Sequence, residues 1–198
     1  MGRPKEHNEH TATALLNAAE RIAEHDGLDA LSVRRVANEV GTTTRAVYSL
    51  FGAKEGLVAA LGERAFDLLG AQVAALSLTD DPAADLVQAG LVFGRFAREH
   101  LALFRIGVQR IEVLPETGQA FAGAADRALA VLRERIGRLE NAGQMGDRSL
   151  QDATLEFHAL CEGLAAVEAR CHLTVAGAEH LWGDALSALV RGWSSETS

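Results

Sequence analysis

The chain has 198 residues, enough for one large or two small domains with a substantial core; 48% of them are apolar and only three are proline, none between Lys5 and Pro82, so an all-α soluble protein is expected. No apolar run approaches the roughly 18 residues of a membrane span and the polar amino terminus shows no signal peptide, so a cytoplasmic location without membrane partners is expected. The formal net charge of −8 argues against indiscriminate nucleic-acid binding, but residues 1–60 contribute only −1 of it and the remainder −7, which leaves room for a local basic surface near the amino terminus.

Met1 to His10 is polar, lacks helical periodicity and carries Arg3 and Lys5 beside Pro4. It reads as an arm that is disordered off DNA and able to enter a minor groove. Helix 1 then starts at Thr11 or Thr13, turns Leu15, Ala18, Ala19 and Ile22 inward, and ends at Gly27. From Ser32 to Phe51 the chain reads as two short helices hinged at Gly41. Val33, Val36, Ala37 and Val40 recur at spacings of three and four and make one apolar stripe, with Ser32 as N-cap. Gly41 suits a left-handed helix end, and Thr42 and Thr43 offer hydroxyls to cap the next helix. In that helix Ala46, Val47, Leu50 and Phe51 face inward and leave Thr43, Thr44, Arg45, Tyr48 and Ser49 outward, short hydrogen-bonding groups and one fork-shaped cation suited to a major groove. The pattern is a helix-turn-helix.

Helix 4 begins near Lys54 and runs to about Leu76, with Leu57, Leu61, Phe66, Leu69 and Val73 along it. Its positive end and Lys54 favour a phosphate, and its length makes it a candidate lever between a DNA-reading end and the rest of the protein. The turn Ser77 to Pro82 punctuates the chain. Helix 5, Ala83 to Glu99, shows one narrow polar strip of Asp85, Gln88, Arg95 and Arg98, while Gly90 and Gly94 allow either close helix packing or a groove. Leu101 to Val113 reads as helix 6, and Pro115 suits the first turn of helix 7, which turns Phe121, Ala125, Ala128, Leu132, Ile136 and Leu139 inward and stops at Asn141. Helix 8 starts at Asp147 or at Ser149, whose spacing to Asp152 resembles a capping box; it carries Ala153, Phe157, Leu160, Leu164, Val167 and Cys171. Helix 9, about Val175 to Trp193, carries Ala178, Leu181, Trp182, Ala185, Leu189 and Trp193.

Two terminal helices this apolar have more face than one protomer covers. A homodimer through a four-helix bundle is expected, with Phe157, Leu160, Leu164, Val167, Leu181, Trp182, Ala185 and Leu189 at its interface. Cys161 and Cys171 stand ten residues apart on one helix, so they cannot bridge each other within it and are expected as reduced, buried thiols. His158, Cys161 and Glu162 share a helical face, but no fourth ligand lies nearby, and neither metal nor cofactor is expected. No dinucleotide-binding glycine pattern, P-loop, nucleophile elbow or Glu-x-x-His pair occurs, so the chain is not expected to be an enzyme.

The segment from about Leu15 to Leu61, with Gly41, Tyr48, Phe51, Lys54, Glu55 and Leu57 in register, resembles the DNA-binding domain of the TetR (tetracycline-repressor) family of bacterial regulators. Thr42, Leu50 and Ala53 depart from the family's usual residues. The resemblance implies an amino-terminal three-helix DNA-binding domain, residues 1–60, followed by an effector-binding and dimerisation domain of helical-bundle type, residues 61–198, about nine helices in all. It implies a ligand-responsive repressor that leaves a palindromic operator on binding a small effector, the alternative being a helix-turn-helix module for protein interaction alone. On the DNA side the expected residues are Arg3, Lys5, Ser32, Arg34, Thr42, Thr43, Thr44, Arg45, Tyr48 and Lys54. For a largely apolar effector they are Phe93, Phe96, Phe104, Gln109, Phe121, Phe157 and Cys161, with His100, Arg105, His158 and Glu162 as further polar candidates.

Overall fold

Apolar residues recurring every three to four positions become nine α-helices in a computed structural model that describes residues 3–109, 118–171 and 173–194; among the described residues there is no strand. The helices are α1 (Arg3–Asp26), α2 (Val33–Val40), α3 (Thr44–Phe51), α4 (Lys54–Ala74), α5 (Pro82–Glu99), α6 (Leu101–Phe104), α7 (Gly118–Asn141), α8 (Leu150–Cys171) and α9 (Val175–Ser194). No helix among the described residues is long and apolar enough to cross a membrane. The side chains of Arg3, Lys5 and Gln109, and the helix start expected at Pro115, lie outside the described residues.

Contacts divide the chain into two units, one of Met1–Phe66 with His100–Ala125, the other of Asp67–Glu99 with Asp126–Ser198; α4 and α7 supply residues to both. In the first unit Leu15, Ala18, Ala19 and Ile22 of α1 are buried with Val36 and Ala37 of α2, Val47 of α3 and Leu57 and Leu61 of α4. One expectation fails at the amino terminus. The helix begins at Arg3, not at Thr11 or Thr13, so residues 3–10 are helical and not a disordered arm. A helix nucleated by the packed Leu15–Ile22 stripe extends through polar residues readily, since each added residue gains a hydrogen bond, and Pro4 lies in the first turn, where its missing N–H has no partner to lose. Thr13 is no cap: its hydroxyl donates back to the Glu9 carbonyl at 3.0 Å. Helix 6 changes character along its length, and its end expected at Val113 lies outside the described residues. After Phe104 the winding loosens into a single π-helical turn, Arg105–Gln109.

The second unit shows why Gly90 and Gly94 are glycines. A Cβ on Gly90 would lie 2.5 Å from Leu186 Cδ1, and one on Gly94 2.8 Å from Trp182 Cε2, so the close-packing alternative holds and α5 sits directly on α9. Trp182 donates its indole N–H to Glu168 at 2.8 Å, and Arg98 donates to the same carboxylate at 3.2 Å, which neutralises a buried charge. Asp85 corrects the solvent-facing strip proposed for α5: it is only 5% exposed. Its carboxylate accepts from the backbone N–H and the hydroxyl of Thr79, both at 2.8 Å, and from Arg138 of α7. Arg135, one turn earlier on α7, donates to the carbonyls of Val73 and Leu76 at 2.6 and 2.8 Å and so caps the carboxy-terminal end of α4.

The stripes of the last two helices are rotated from the expected ones. In α8 the buried positions are Ala153, Thr154, Phe157, Cys161, Leu164, Ala165 and Glu168, and in α9 they are Ala178, Trp182, Leu186, Val190 and Trp193. Phe157, Leu164 and Trp182 are therefore buried by the chain itself. Leu160, Leu181, Ala185 and Leu189 are half-buried and Val167 is 37% exposed. Both helices are apolar on more than one face, so periodicity alone could not say which face the protomer itself covers. Cys171 is exposed, against expectation, and Cys161 is buried.

Candidate nucleic-acid interface

The helix-turn-helix is built from local rules. Ser32 adopts an extended conformation and its hydroxyl accepts from the Arg35 N–H at 3.3 Å, starting α2. Gly41 takes φ 71° and ψ 30°, a left-handed conformation that side chains disfavour, and the amides of Gly41 and Thr42 turn back onto the last carbonyls of α2, the latter on Ala37 at 2.9 Å. Thr43 caps α3 through its hydroxyl, which accepts from Ala46 N–H at 3.2 Å. After α3 the chain reverses so tightly that a Cβ on Gly56 would fall 1.9 Å from the Phe51 carbonyl oxygen. Only glycine lets α4 start there.

Val47 is the one residue of α3 that is fully buried; Ala46, Leu50 and Phe51, expected inside, are only half-buried. A helix of eight residues resting on one buried side chain keeps most of its surface outside. Thr43, Thr44, Arg45 and Ser49 are exposed, Tyr48 is 53% exposed, and Thr42 is half-buried at the hinge. Ser32 and Arg34 are exposed at the start of α2, and Lys54 is exposed as the first residue of α4. The structure thus places the outward set of the sequence reading on consecutive elements of the first unit.

The ion pairs sort the cations. Arg21 pairs with Glu39 at 2.9 Å and Arg35 with Asp26, whereas Arg34, Arg45 and Lys54 have no carboxylate partner among the described residues. Those three remain available to phosphates or base edges. Sequence could not separate Arg34 from Arg35: neighbours on a helix point about 100° apart, and only the docking of α1 decides which of them meets Asp26.

The residues expected around an effector fall in both units. Phe93, Phe96, Phe157 and Cys161 belong to the second and are buried; Phe104 and Phe121 belong to the first. Phe93 meets His158 edge to face at 6.0 Å and lies 6.2 Å from Trp182, so it is part of a packed aromatic cluster. His158 Nδ1 lies 3.2 Å from Glu162 of the next turn. Burial raises the Cys161 thiol well above its ordinary pKa, with Glu162 adding to it, which makes that sulfur inert. No three His, Cys, Asp or Glu side chains are gathered as a metal would need among the described residues. Phe121 packs edge to face on Phe66 at 5.4 Å, and a Cβ on Gly62 would clash with its ring. Sequence reasoning missed an open groove of about 470 Å³ beside α3, whose walls include Leu50, Phe51, Ala59, Glu63 and Phe121. The half-buried state of Leu50 and Phe51 is its only trace, and periodicity does not report that.

The family profile for bacterial regulatory proteins of the tetR family matches residues 15–61. Among solved structures, a protein of unknown function from Rhodococcus sp. RHA1 superposes with a TM-score of 0.82 at 24% identity, over 93% of this chain and 95% of that one. A tetR-family regulatory protein from Rhodococcus RHA1 does so with a TM-score of 0.71 at 19% identity, over 92% and 96%. RolR, in complex with resorcinol, does so with a TM-score of 0.69 at 18% identity, over 96% of each chain. No curated protein matches the sequence.

Proposed function

With residues 15–61 a tetR-family DNA-binding domain, on a chain folded as transcription regulators of that family are, we propose that it is a homodimeric repressor that reads a palindromic operator and leaves it when a small, largely apolar effector binds. The observation that carries this reading is the surface of α2, α3 and the start of α4, where Arg34, Arg45 and Lys54, with no carboxylate partner among the described residues, stand exposed with Thr43, Thr44 and Tyr48. Arg45 is the residue for a base edge, because its planar fork matches the two acceptors of guanine. Thr42, Thr43, Thr44 and Tyr48 share base and phosphate contacts; Ser32, Arg34 and Lys54, with Arg3 and Lys5, hold the backbone and set register.

We assign DNA reading to residues 1–60 and effector binding with dimerisation to residues 61–198. Leu160, Val167, Leu181, Ala185 and Leu189, together with the exposed Leu155 and Val175, form the apolar surface for the partner helices. Substituting Val167 by Glu is expected to raise the dimer dissociation constant at least about tenfold, since a charge buried without a partner costs more than 1.4 kcal/mol. Sedimentation equilibrium reads this directly, and an unchanged constant removes α8 from the interface. The RolR complex with resorcinol supports a small ligand with apolar surface. Of the proposed effector contacts Phe93, Phe96, Phe104, Gln109, Phe121, Phe157 and Cys161, Phe121 lines the groove beside α3.

The test is selection of duplexes from a random pool by the purified protein, followed by titration of the selected duplex and a random one across salt. A palindromic consensus bound about 10³-fold or more over random DNA is the expected result. Equal, weak binding of both duplexes overturns the operator reading in favour of a protein-interaction module.

A further inference from the structure

The groove beside α3 owes its floor to small residues of α4. Gly56 and Ala60 stand one turn apart on that helix, and Glu63 follows on the same face, about 10 Å from Gly56 along the axis at a rise of 1.5 Å per residue. With so little side chain beneath them the walls stay apart: Leu50 and Phe51 of α3 form one, Phe121 of α7 the other, and about 470 Å³ lies between them. All of these residues belong to the first unit. Both walls are fixed. Gly56 brings α4 against the Phe51 carbonyl, where no larger residue fits, and so holds the corner between α3 and α4. Phe121 is seated edge to face on Phe66, and a Cβ on Gly62 would lie 2.4 Å from its ring. A preformed groove spares a ligand the ordering of its walls. Phe93, Phe96 and Phe157 of the second unit, by contrast, are at most 7% exposed.

Among the described residues that line the groove, Glu63 alone carries a charge. Its neighbour Arg64 is turned to Glu20 and Asn17 of α1, at 3.2 and 2.6 Å. Glu63 is half-buried, and a carboxylate partly withdrawn from water attracts a hydrogen-bonding cation more strongly than one in bulk solvent. The opposite end of the groove, at Gly56, lies in the first turn of α4, where the helix dipole is positive and Lys54 stands. The lining is therefore polarised along its length. A cation belongs at Glu63, and an uncharged body lies over Gly56 and Ala60 between the side chains of Leu50, Phe51 and Phe121.

We propose that this groove is a binding site for a small apolar amine, a protonated ammonium on an aryl or alkyl body about 10 Å long. A ligand seated there touches α3 directly. Its binding is read without DNA, so the inference stands or falls apart from the operator reading.

The probe is phenylbutylamine, titrated into the full chain carrying labelled alanine and leucine methyl groups and followed by NMR, with phenylbutanol as its neutral match. The amine is expected to bind with a Kd of about 1 mM or tighter and the alcohol about fivefold or more weaker, with shifts concentrated at the methyls of Leu50, Ala59 and Ala60. Glu63→Gln should bring the amine down to the affinity of the alcohol and leave the alcohol unchanged. Glu55→Gln removes the same charge from an exposed position outside the groove, and should leave the amine within about twofold of the wild type. Ala60→Phe fills the groove from its floor and should abolish binding of both probes; if that variant does not fold, Glu63→Gln keeps the test in force. Equal affinity of the wild type for amine and alcohol overturns the proposal, as does an equal loss in Glu55→Gln and Glu63→Gln. So do shifts confined to the second unit, or no binding of the amine up to about 10 mM.

Discussion

Replacing Asp85 by Ala is expected to lower the free energy of unfolding by about 3–5 kcal/mol, the cost of stripping one partner from a buried charged pair. Asp85 takes two hydrogen bonds from Thr79 and one from Arg138, and it is the carboxylate facing the buried Arg135. Without it the Thr79 amide loses its acceptor, and Arg135 and Arg138, one turn apart on α7, lose the negative charge that both of them feel. Arg135 leaves no slack, because one of its terminal nitrogens is already buried with no hydrogen-bond partner among the described residues. Denaturation in urea with constant slope reads the change; a loss below about 1 kcal/mol would show that the network relaxes around the gap.

The same residue sets an acid limit. The Thr79 N–H holds its pKa down at about 2, from an ordinary 3.8, with Arg138 and the Thr79 hydroxyl assisting and burial opposing. A carboxylate whose pKa is lower folded than unfolded stabilises the fold fully above its unfolded pKa, and loses that contribution as pH falls through 3.8 towards 2. Asp85→Asn should therefore be less stable than the wild type at pH 7, with the gap closing between pH 5 and pH 2. A gap that stays constant over that range would show that the charge of Asp85 contributes nothing.

Replacing Arg45 by Ala is expected to cost about 1–3 kcal/mol, roughly 5- to 150-fold, on the selected duplex and to relax the consensus at the symmetric pair of positions it reads. Arg34→Ala is the control. As a phosphate contact it should weaken selected and random duplexes alike and lower the slope of log affinity against log salt by about one. The contrast follows from position: Arg45 lies on the exposed face of α3, while Arg34 lies at the start of the supporting helix. Should Arg45→Ala weaken both duplexes equally with the consensus intact, Arg45 is a phosphate contact and base reading passes to Thr44 and Tyr48.

Much of this molecule is legible along the chain because it depends on neighbours in sequence. The stripe of α1, the caps Ser32, Thr43 and Ser149, and the left-handed Gly41 all involve groups within a few residues of each other, and all stand where periodicity and capping chemistry put them. The outward set of α3 is equally local, since an eight-residue helix has one inner side and the rest faces water. What tertiary structure decided involves groups far apart in sequence. Asp85 looks like one more solvent-facing acid until Arg138, 53 residues on, reaches it. Arg34 and Arg35 are equivalent by composition until Asp26 claims one of them. The faces of α8 and α9 that the protomer covers are chosen by Gly90 and Gly94 of α5, which admit Leu186 and Trp182 and turn Leu160, Val167 and Leu181 away. Short-range hydrogen bonds and helical period depend on the order of residues alone; the pairing of charges and the choice between two apolar faces depend on which surfaces the folded chain brings together.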